Sequence, residues 1–300
     1  MANLRALVKR RKAIRNIRKI TKTMELIATS RFQRALRRAT EADAYTRKIA
    51  ELAADLSQNA GEVAHPLLET RPKIRKVLVL VLTSNRGLCG GYNGGILRAA
   101  STKLAQLKAD GTPVDLEVSG KRGQTYFKFQ QVPVTQGYTN FEDKPTFAEV
   151  DALASKYIDL FVSGQVDQVI VAYQKFFNAA RQEPVAEVML PLSSVAVESS
   201  RRGAVAAATA AAGPKVEYEF LPSAAGILNE LVPVAFKVRL FKAFLDAAVS
   251  EQIARRIAMK AATENAGDLI KSVSRVYNRT RQANITKEIS ELIAGSEALK

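Results

Sequence analysis

Three hundred residues suffice for one or two domains with a real core, and 45 Lys and Arg against 29 Asp and Glu leave a formal charge of +16. One cysteine, Cys89, excludes an internal disulfide, and with a single histidine, His65, it leaves too few soft ligands for a Cys/His metal site. The charge lies at the two ends: residues 1–48 hold fifteen cations against three acids, residues 224–300 hold twelve against eight, and the centre balances, which points to an acidic partner for the ends.

The first predicted element is a helix from about residue 2 to Asn59, ending before Gly61 and Pro66. Its expected apolar seam is Ile17, Ile20, Met24, Ala28, Phe32, Ala35, Ala39, Ala42, Thr46, Ile49, Ala53 and Leu56. Three consecutive steps of four, from Ile20 to Phe32, predict a stutter that unwinds a left-handed supercoil. The cations of this helix go all round it, with only Phe32 and Tyr45 as aromatics, so base stacking on nucleic acid has little support. Arg5–Lys22 is charged throughout and lacks the apolar core of a secretory signal.

The middle reads as alternating strands and helices. Lys76–Thr83 is a continuous apolar, β-branched run, expected to be a strand buried on both faces. Helices are expected at Tyr92–Lys108, Lys121–Gln130 and Phe147–Val162, and further strands at Val114–Ser119, Val166–Gln174, Val185–Leu190 and Val216–Leu221. The expected fold class is therefore an α/β domain with a mostly parallel sheet and helices on both faces. Arg201–Pro214, rich in Ala and Gly, reads as a mobile loop. Its longest low-polarity stretch, Gly203–Gly213, is about half a membrane span. A soluble protein, or one peripheral to a membrane, is expected.

The glycine-rich stretch Thr83–Gly95 sits at a strand-to-helix junction, a common place for phosphate. Its glycines, 87, 90, 91, 94 and 95, match neither G-x-G-x-x-G nor a P-loop with Lys-Ser/Thr. A tight turn with positive φ fits better, and Cys89 reads as a small buried side chain.

The last element is a helix from Ser223 to about Ala294, with Pro233 near its start. Sixteen positions from Leu231 to Ala283 step by threes and fours, through Phe241, Leu245, Met259, Ala266, Leu269, Val273 and Val276, and thirteen are apolar. That is a sustained coiled-coil seam. Gln252 and Arg255 interrupt it; Arg255 either snorkels at a loose part of the coil or meets a carboxylate from a partner. The expected organisation is 1–60 and 223–295 as an antiparallel two-helix shaft, with 61–222 as the α/β domain between them. Helices of roughly 85 and 105 Å should project beyond that domain, the second overshooting the first by about a dozen residues.

Three stretches give this chain its resemblance: Ile20–Phe32 (ITKTMELIATSRF), Thr83–Asn93 (TSNRGLCGGYN) and, above all, Ser250–Leu299. Together they resemble the gamma subunit of the F-type ATP synthase, along the whole chain. The resemblance implies a rotor shaft that couples proton-driven rotation of a membrane c-ring to ATP synthesis or hydrolysis at catalytic beta subunits. It also implies no catalytic residues and no cofactor of its own. Its partners would be the alpha and beta subunits, epsilon and the c-ring, with no nucleic acid, at the cytoplasmic face of a bacterial inner membrane as a peripheral protein. Carried over by position, Arg281, Gln282 and Thr286 look like polar contacts to loops of the ring. Met24 and Arg255 look like the approach to an acidic segment of beta. No cysteine pair lies in the 190–220 region, so chloroplast-type thiol regulation is not expected. The rival readings are a basic coiled-coil nucleic-acid-binding protein and a nucleotide-binding enzyme.

Overall fold

A computed structural model describes residues 4–59, 65–141, 144–192 and 224–297. The expected strand at 216–221, the Ala-rich stretch 201–214 and the expected cap Ser223 lie outside the described residues. The elements in chain order are α1 (Leu4–Asn59), β1 (Val77–Leu82), α2 (Tyr92–Ala109), β2 (Val114–Ser119), α3 (Lys121–Phe129), β3 (Gln136–Tyr138), α4 (Phe147–Val162), β4 (Gln168–Phe176), β5 (Gln182–Leu190) and α5 (Ala224–Glu297). The chain forms two compact units, Met1–Ser30 with Arg255–Lys300, and Arg31–Ala254. Each long helix contributes to both.

In the 31–254 unit the strands form one sheet in the order β3-β2-β1-β4-β5. Every pairing is parallel except β4 with β5. All six residues of β1 are buried, so its apolar run serves two cores at once. Leu78, Leu80 and Leu82 pack with α4 and with Val232, Phe236, Leu240 and Phe244 of α5. Val77, Val79 and Val81 pack with Tyr92, Ile96 and Ala100 of α2 and Phe127 of α3. The sheet is mostly parallel with helices on both faces, as expected from the alternating pattern.

Two features departed from that pattern. β3 has only three residues and no apolar run, so it left no sequence signal. β5 is antiparallel because only residues 177–181 separate it from β4, far too few for a crossover. Asn178 makes that turn, its side-chain oxygen accepting from the backbone N–H of Ala180 (2.9 Å) and Arg181 (2.8 Å).

Residues 243–250 of α5 are buried without interruption, because this stretch lies between two partners. One side meets the sheet; Leu245, Val249 and Ile253 on another meet Phe32, Ala35 and Ala39 of α1. Burial on every side, of Asp246 and Ser250 as well as the apolar residues, marks a helix enclosed all round.

Two buried polar clusters tie the periphery of this unit down. Asp167, ahead of β4, is paired with Arg71 and accepts from the backbone N–H of Arg75 (2.6 Å) and Lys76 (3.3 Å). Burial would raise its carboxyl pKa, but the hydrogen bonds from Arg71 and Arg75 outweigh burial and hold it at about 2. Glu117 of β2 accepts from the hydroxyls of Tyr157 (2.6 Å) and Tyr138 (2.9 Å) and from the Lys156 ammonium (2.6 Å). This stitches β2, β3 and α4 together. His65 is buried, and its Nδ1 accepts from the Leu67 N–H at 3.1 Å. Burial pushes its pKa down.

Candidate partner-contact surface

The glycine turn is a structural joint with positive φ, as expected, at one of its glycines, Gly90 (φ 56°), and also at Leu88 (φ 64°). Inside it, the Asn93 amide donates to Ser84 Oγ (2.8 Å) and Cys89 Sγ (3.2 Å), and Asn93 Oδ1 accepts from the Ser84 N–H (3.0 Å). Cys89 is 2 % exposed, as expected of a small core side chain. The junction also needs Gly120, at φ 99°, where a Cβ would stand 2.1 Å from the Thr83 carbonyl oxygen. Among the described residues, no group of His, Cys, Asp and Glu could hold a metal ion.

The unit formed by Met1–Ser30 and Arg255–Lys300 has a different character. Its two helical segments run antiparallel, because partners of Thr21, Arg18 and Arg11 occur progressively later on α5. Thr263 Oγ1 donates to Thr21 Oγ1 at 2.9 Å. Arg18 Nε lies 3.8 Å from where a Cβ on Gly267 would be. The Arg11 guanidinium lies over the Tyr277 ring, 5.0 Å from its centroid. Ile14, Ala266 and Val273 form the buried core, with Leu7 and Ile270 packed against it. Such a core is thin, and small residues set the approach.

The observed α1 seam is Leu7, Arg11, Ile14, Thr21, Glu25 and Ala28. Its steps alternate four and three, with Arg18 the omitted position, so the expected stutter is absent. The stutter came from assigning Ile17 and Ile20 to the seam, whereas they are 53 % and 59 % exposed. On α5 the seam is Met259, Thr263, Ala266, Ile270, Val273, Tyr277, Thr280 and Asn284. It shares every seventh residue with the expected one but takes the fourth neighbour rather than the third, leaving Leu269, Val276 and Ala283 outside. Only on that side can Thr263 reach Thr21 and Tyr277 reach Arg11.

Each segment therefore carries a second apolar stripe that flanks the seam. On α1 it is Ile17, Ile20, Met24 and Ile27, with Met24 half-buried; on α5 it includes Leu269 and Val276. Beyond Asn284 every described side chain to residue 296 is exposed, and Ile285, Ile289, Leu292 and Ile293 recur there at helical spacing. Twelve of the eighteen exposed large apolar side chains among the described residues belong to this unit. Apolar surface of that extent marks an interaction site.

The site residues expected from the sequence fall into two groups. Arg281, Gln282 and Thr286 are exposed, and Gln282, Ile285, Thr286 and Ile289 share one helical face. Arg255 is only 8 % exposed and already engaged within the chain. Sequence reasoning missed Ile285, Ile289, Leu292 and Ile293, although their spacing of three and four was a readable signal.

A model of the ATP synthase family (ATP-synt) matches residues 3–299. The ATP synthase gamma chain of Rhodopirellula baltica is 51 % identical over 300 residues, covering 100 % of both chains. That of Leptospira biflexa is 39 % identical over 299 residues, with 100 % of both covered. Among solved structures, a chain of the Euglena gracilis mitochondrial ATP synthase (OSCP/F1/c-ring) matches with a TM-score of 0.63 at 16 % identity, covering 99 % of this chain and 94 % of that one. A chain from the Tetrahymena thermophila mitochondrial ATP synthase central stalk and c-ring matches with a TM-score of 0.55 at 20 % identity, covering 81 % and 99 %. These two likenesses are likenesses of fold.

Proposed function

The chain belongs to the ATP synthase gamma chain family, and from that premise we propose that it is the central rotor shaft of a bacterial F-type ATP synthase. In this reading the unit of Met1–Ser30 with Arg255–Lys300 turns inside a ring of alpha and beta subunits. The unit of Arg31–Ala254 stands with epsilon on the c-ring, and the assembly sits at the cytoplasmic face of the inner membrane. Among the described residues no helix is long and apolar enough to cross a membrane, which fits a peripheral role.

The observation that carries the reading is the second apolar stripe. A free-standing two-helix coil needs one seam; this one carries further apolar rows that are exposed among the described residues, beside a strongly cationic α1. An enclosing ring with apolar contacts and acidic segments would cover both. The shaft performs no chemistry. A single asymmetric coil presses differently on three equivalent catalytic sites, so their nucleotide affinities differ and alternate as it turns. The energy scale suffices: at about 2.3 kcal/mol per charge per 100 mV, three charges at ~200 mV supply roughly 14 kcal/mol. That exceeds the roughly 12 kcal/mol that holds a nanomolar ligand.

Arg281, Gln282 and Thr286 are assigned as polar contacts to the ring, and Met24 as an apolar contact flanked by Ile20 and Ile27. Arg255, 8 % exposed within the chain, is assigned to the shaft's approach to an acidic segment of beta. The test is ATP synthesis in energised membrane vesicles. Gln282→Ala with Thr286→Ala should lower the rate, while Lys128→Ala, on the exposed side of α3, should not. Wild-type synthesis with normal proton pumping by the double variant would remove these contacts from the proposal. The alternative of a nucleic-acid-binding coiled coil draws no support from the relatives, which are ATP synthase gamma chains.

A further inference from the structure

A cavity of about 780 Å³ opens in the 31–254 unit between the C-terminal halves of α2 and α3, over the start of β2. Its floor is apolar and continuous with the core: Leu116 and Phe127 are buried, and Leu104, Val114 and Val132 pack against the same cluster. The wall beyond α3 is set by a Schellman turn, in which the Val132 N–H donates to the Phe127 carbonyl (3.0 Å) and the Gln131 N–H to that of Lys128 (3.2 Å). Such a turn needs a left-handed residue, usually glycine. Here Gln131 takes that conformation, at φ 57°, so strained backbone borders the cavity.

Around the apolar floor stand polar groups that the fold leaves uncommitted. Among the described residues, the side chains of Ser101, Lys108, Thr112, Tyr126, Gln130 and Gln131 make no hydrogen bond or ion pair. Lys108 is the one charged residue in the lining, and no carboxylate lines the cavity with it. The shaft's proposed contacts involve none of these groups. The volume lies in the range of small-molecule sites, which pair an apolar body with a few polar groups. A single ammonium beside an apolar floor matches a ligand of the complementary build, an apolar chain ended by one negative charge. A multivalent anion would find only one cation there, and a cationic amphiphile would meet Lys108 with like charge. We propose that this cavity binds a small amphipathic carboxylate of the medium-chain fatty-acid class, its chain on the floor and its carboxylate on the Lys108 ammonium.

The test is calorimetric titration of the full chain with sodium decanoate, decanol and decyltrimethylammonium bromide, each below its micelle concentration. One saturable decanoate site is expected, with the cationic amphiphile weaker by about fivefold or more. From hexanoate to decanoate the affinity should rise about two- to fourfold per methylene, as an apolar seat requires. Lys108→Gln should weaken decanoate about fivefold and leave decanol unchanged, a split that a general loss of fold would not produce. Ala105 is an exposed position of α2 in the lining. Ala105→Trp should fill the cavity and abolish binding of both, with an unchanged circular dichroism spectrum verifying folding. Decanoate binding that persists in Ala105→Trp would place it on the exposed apolar rows of the coil and overturn the site. Equal affinity for the cationic amphiphile would overturn the choice of a carboxylate, and the absence of saturable binding would overturn the proposal outright.

Discussion

Thr263 of α5 hydrogen-bonds Thr21 of α1, hydroxyl to hydroxyl at 2.9 Å, a polar rung beside the apolar cluster of Ile14, Ala266 and Val273. A hydroxyl pair at a seam position fixes register, because sliding either helix separates the two groups and leaves them facing apolar neighbours. A double-mutant cycle of Thr21→Val and Thr263→Val should give a coupling of about 0.5–1.5 kcal/mol, read as opening energies by hydrogen exchange in residues 14–21. Strict additivity would mean that the two hydroxyls sit together without contributing to the register.

Acid should weaken the 31–254 unit through Asp167. Its carboxyl is held at about 2, below the ordinary 3.8, so the folded state binds the proton less readily than the unfolded chain. The stabilisation is fully present above about pH 4 and fades as pH falls towards 2, and it amounts to about 2 kcal/mol. Asp167→Asn should remove that pH dependence and lower stability at neutral pH by at least a similar amount, since Arg71 is left half-buried without its carboxylate. Parallel acid-denaturation curves for wild type and variant would contradict this assignment.

His65 acts in a different window. Its pKa is lowered by burial, and its Nδ1 must stay unprotonated to accept from Leu67. The unfolded chain therefore binds the proton first, and stability declines as pH falls below about 6.5. Comparing urea midpoints at pH 7.5 and 5.5 tests the idea: His65→Asn should shrink the difference between them. An unaltered difference would place the sensitivity elsewhere.

Gly120 and Gly111 both have positive φ but differ in surroundings. A Cβ at Gly120 would stand 2.1 Å from the Thr83 carbonyl oxygen, whereas nothing lies within 4 Å of one at Gly111. Gly111→Ala should cost about 1 kcal/mol, the strain of the backbone conformation alone. Gly120→Ala adds a clash with backbone that cannot yield, and should cost more than about 3 kcal/mol or prevent folding. Thermal melts of the two variants decide it, equal shifts being the contrary result.

Cys89 is packed in the glycine turn, and its sulfur accepts from the Asn93 amide. Cys89→Ala should leave ATP hydrolysis by a reconstituted complex within about a factor of two, because a small buried substitution is usually absorbed locally. Lost turnover in a normally assembled complex would show that the turn does more than join β1 to α2.

Much of this architecture was legible in the amino-acid order because period and composition report burial directly. The all-apolar run of β1 could be satisfied only between two layers, and the structure buries all six of its residues. The bounds of α4 were readable to the residue at both ends, where a capping box between Thr146 and Glu149 starts the helix. Long stretches of three-four spacing announced two paired helices, and the C-terminal block carried the family.

Packing alone decided which apolar stripe closes the coil. Ile17 and Ile20 repeat as regularly as Ile14 and Thr21, so periodicity cannot rank them; burial falls to the side where Gly267 admits Arg18 and Thr263 meets Thr21. The same limit hid β3, too short to leave a period, and the antiparallel β5, whose direction follows from the short turn before it. A sequence states which residues must be covered; what covers them depends on chain segments that meet only when the whole fold closes.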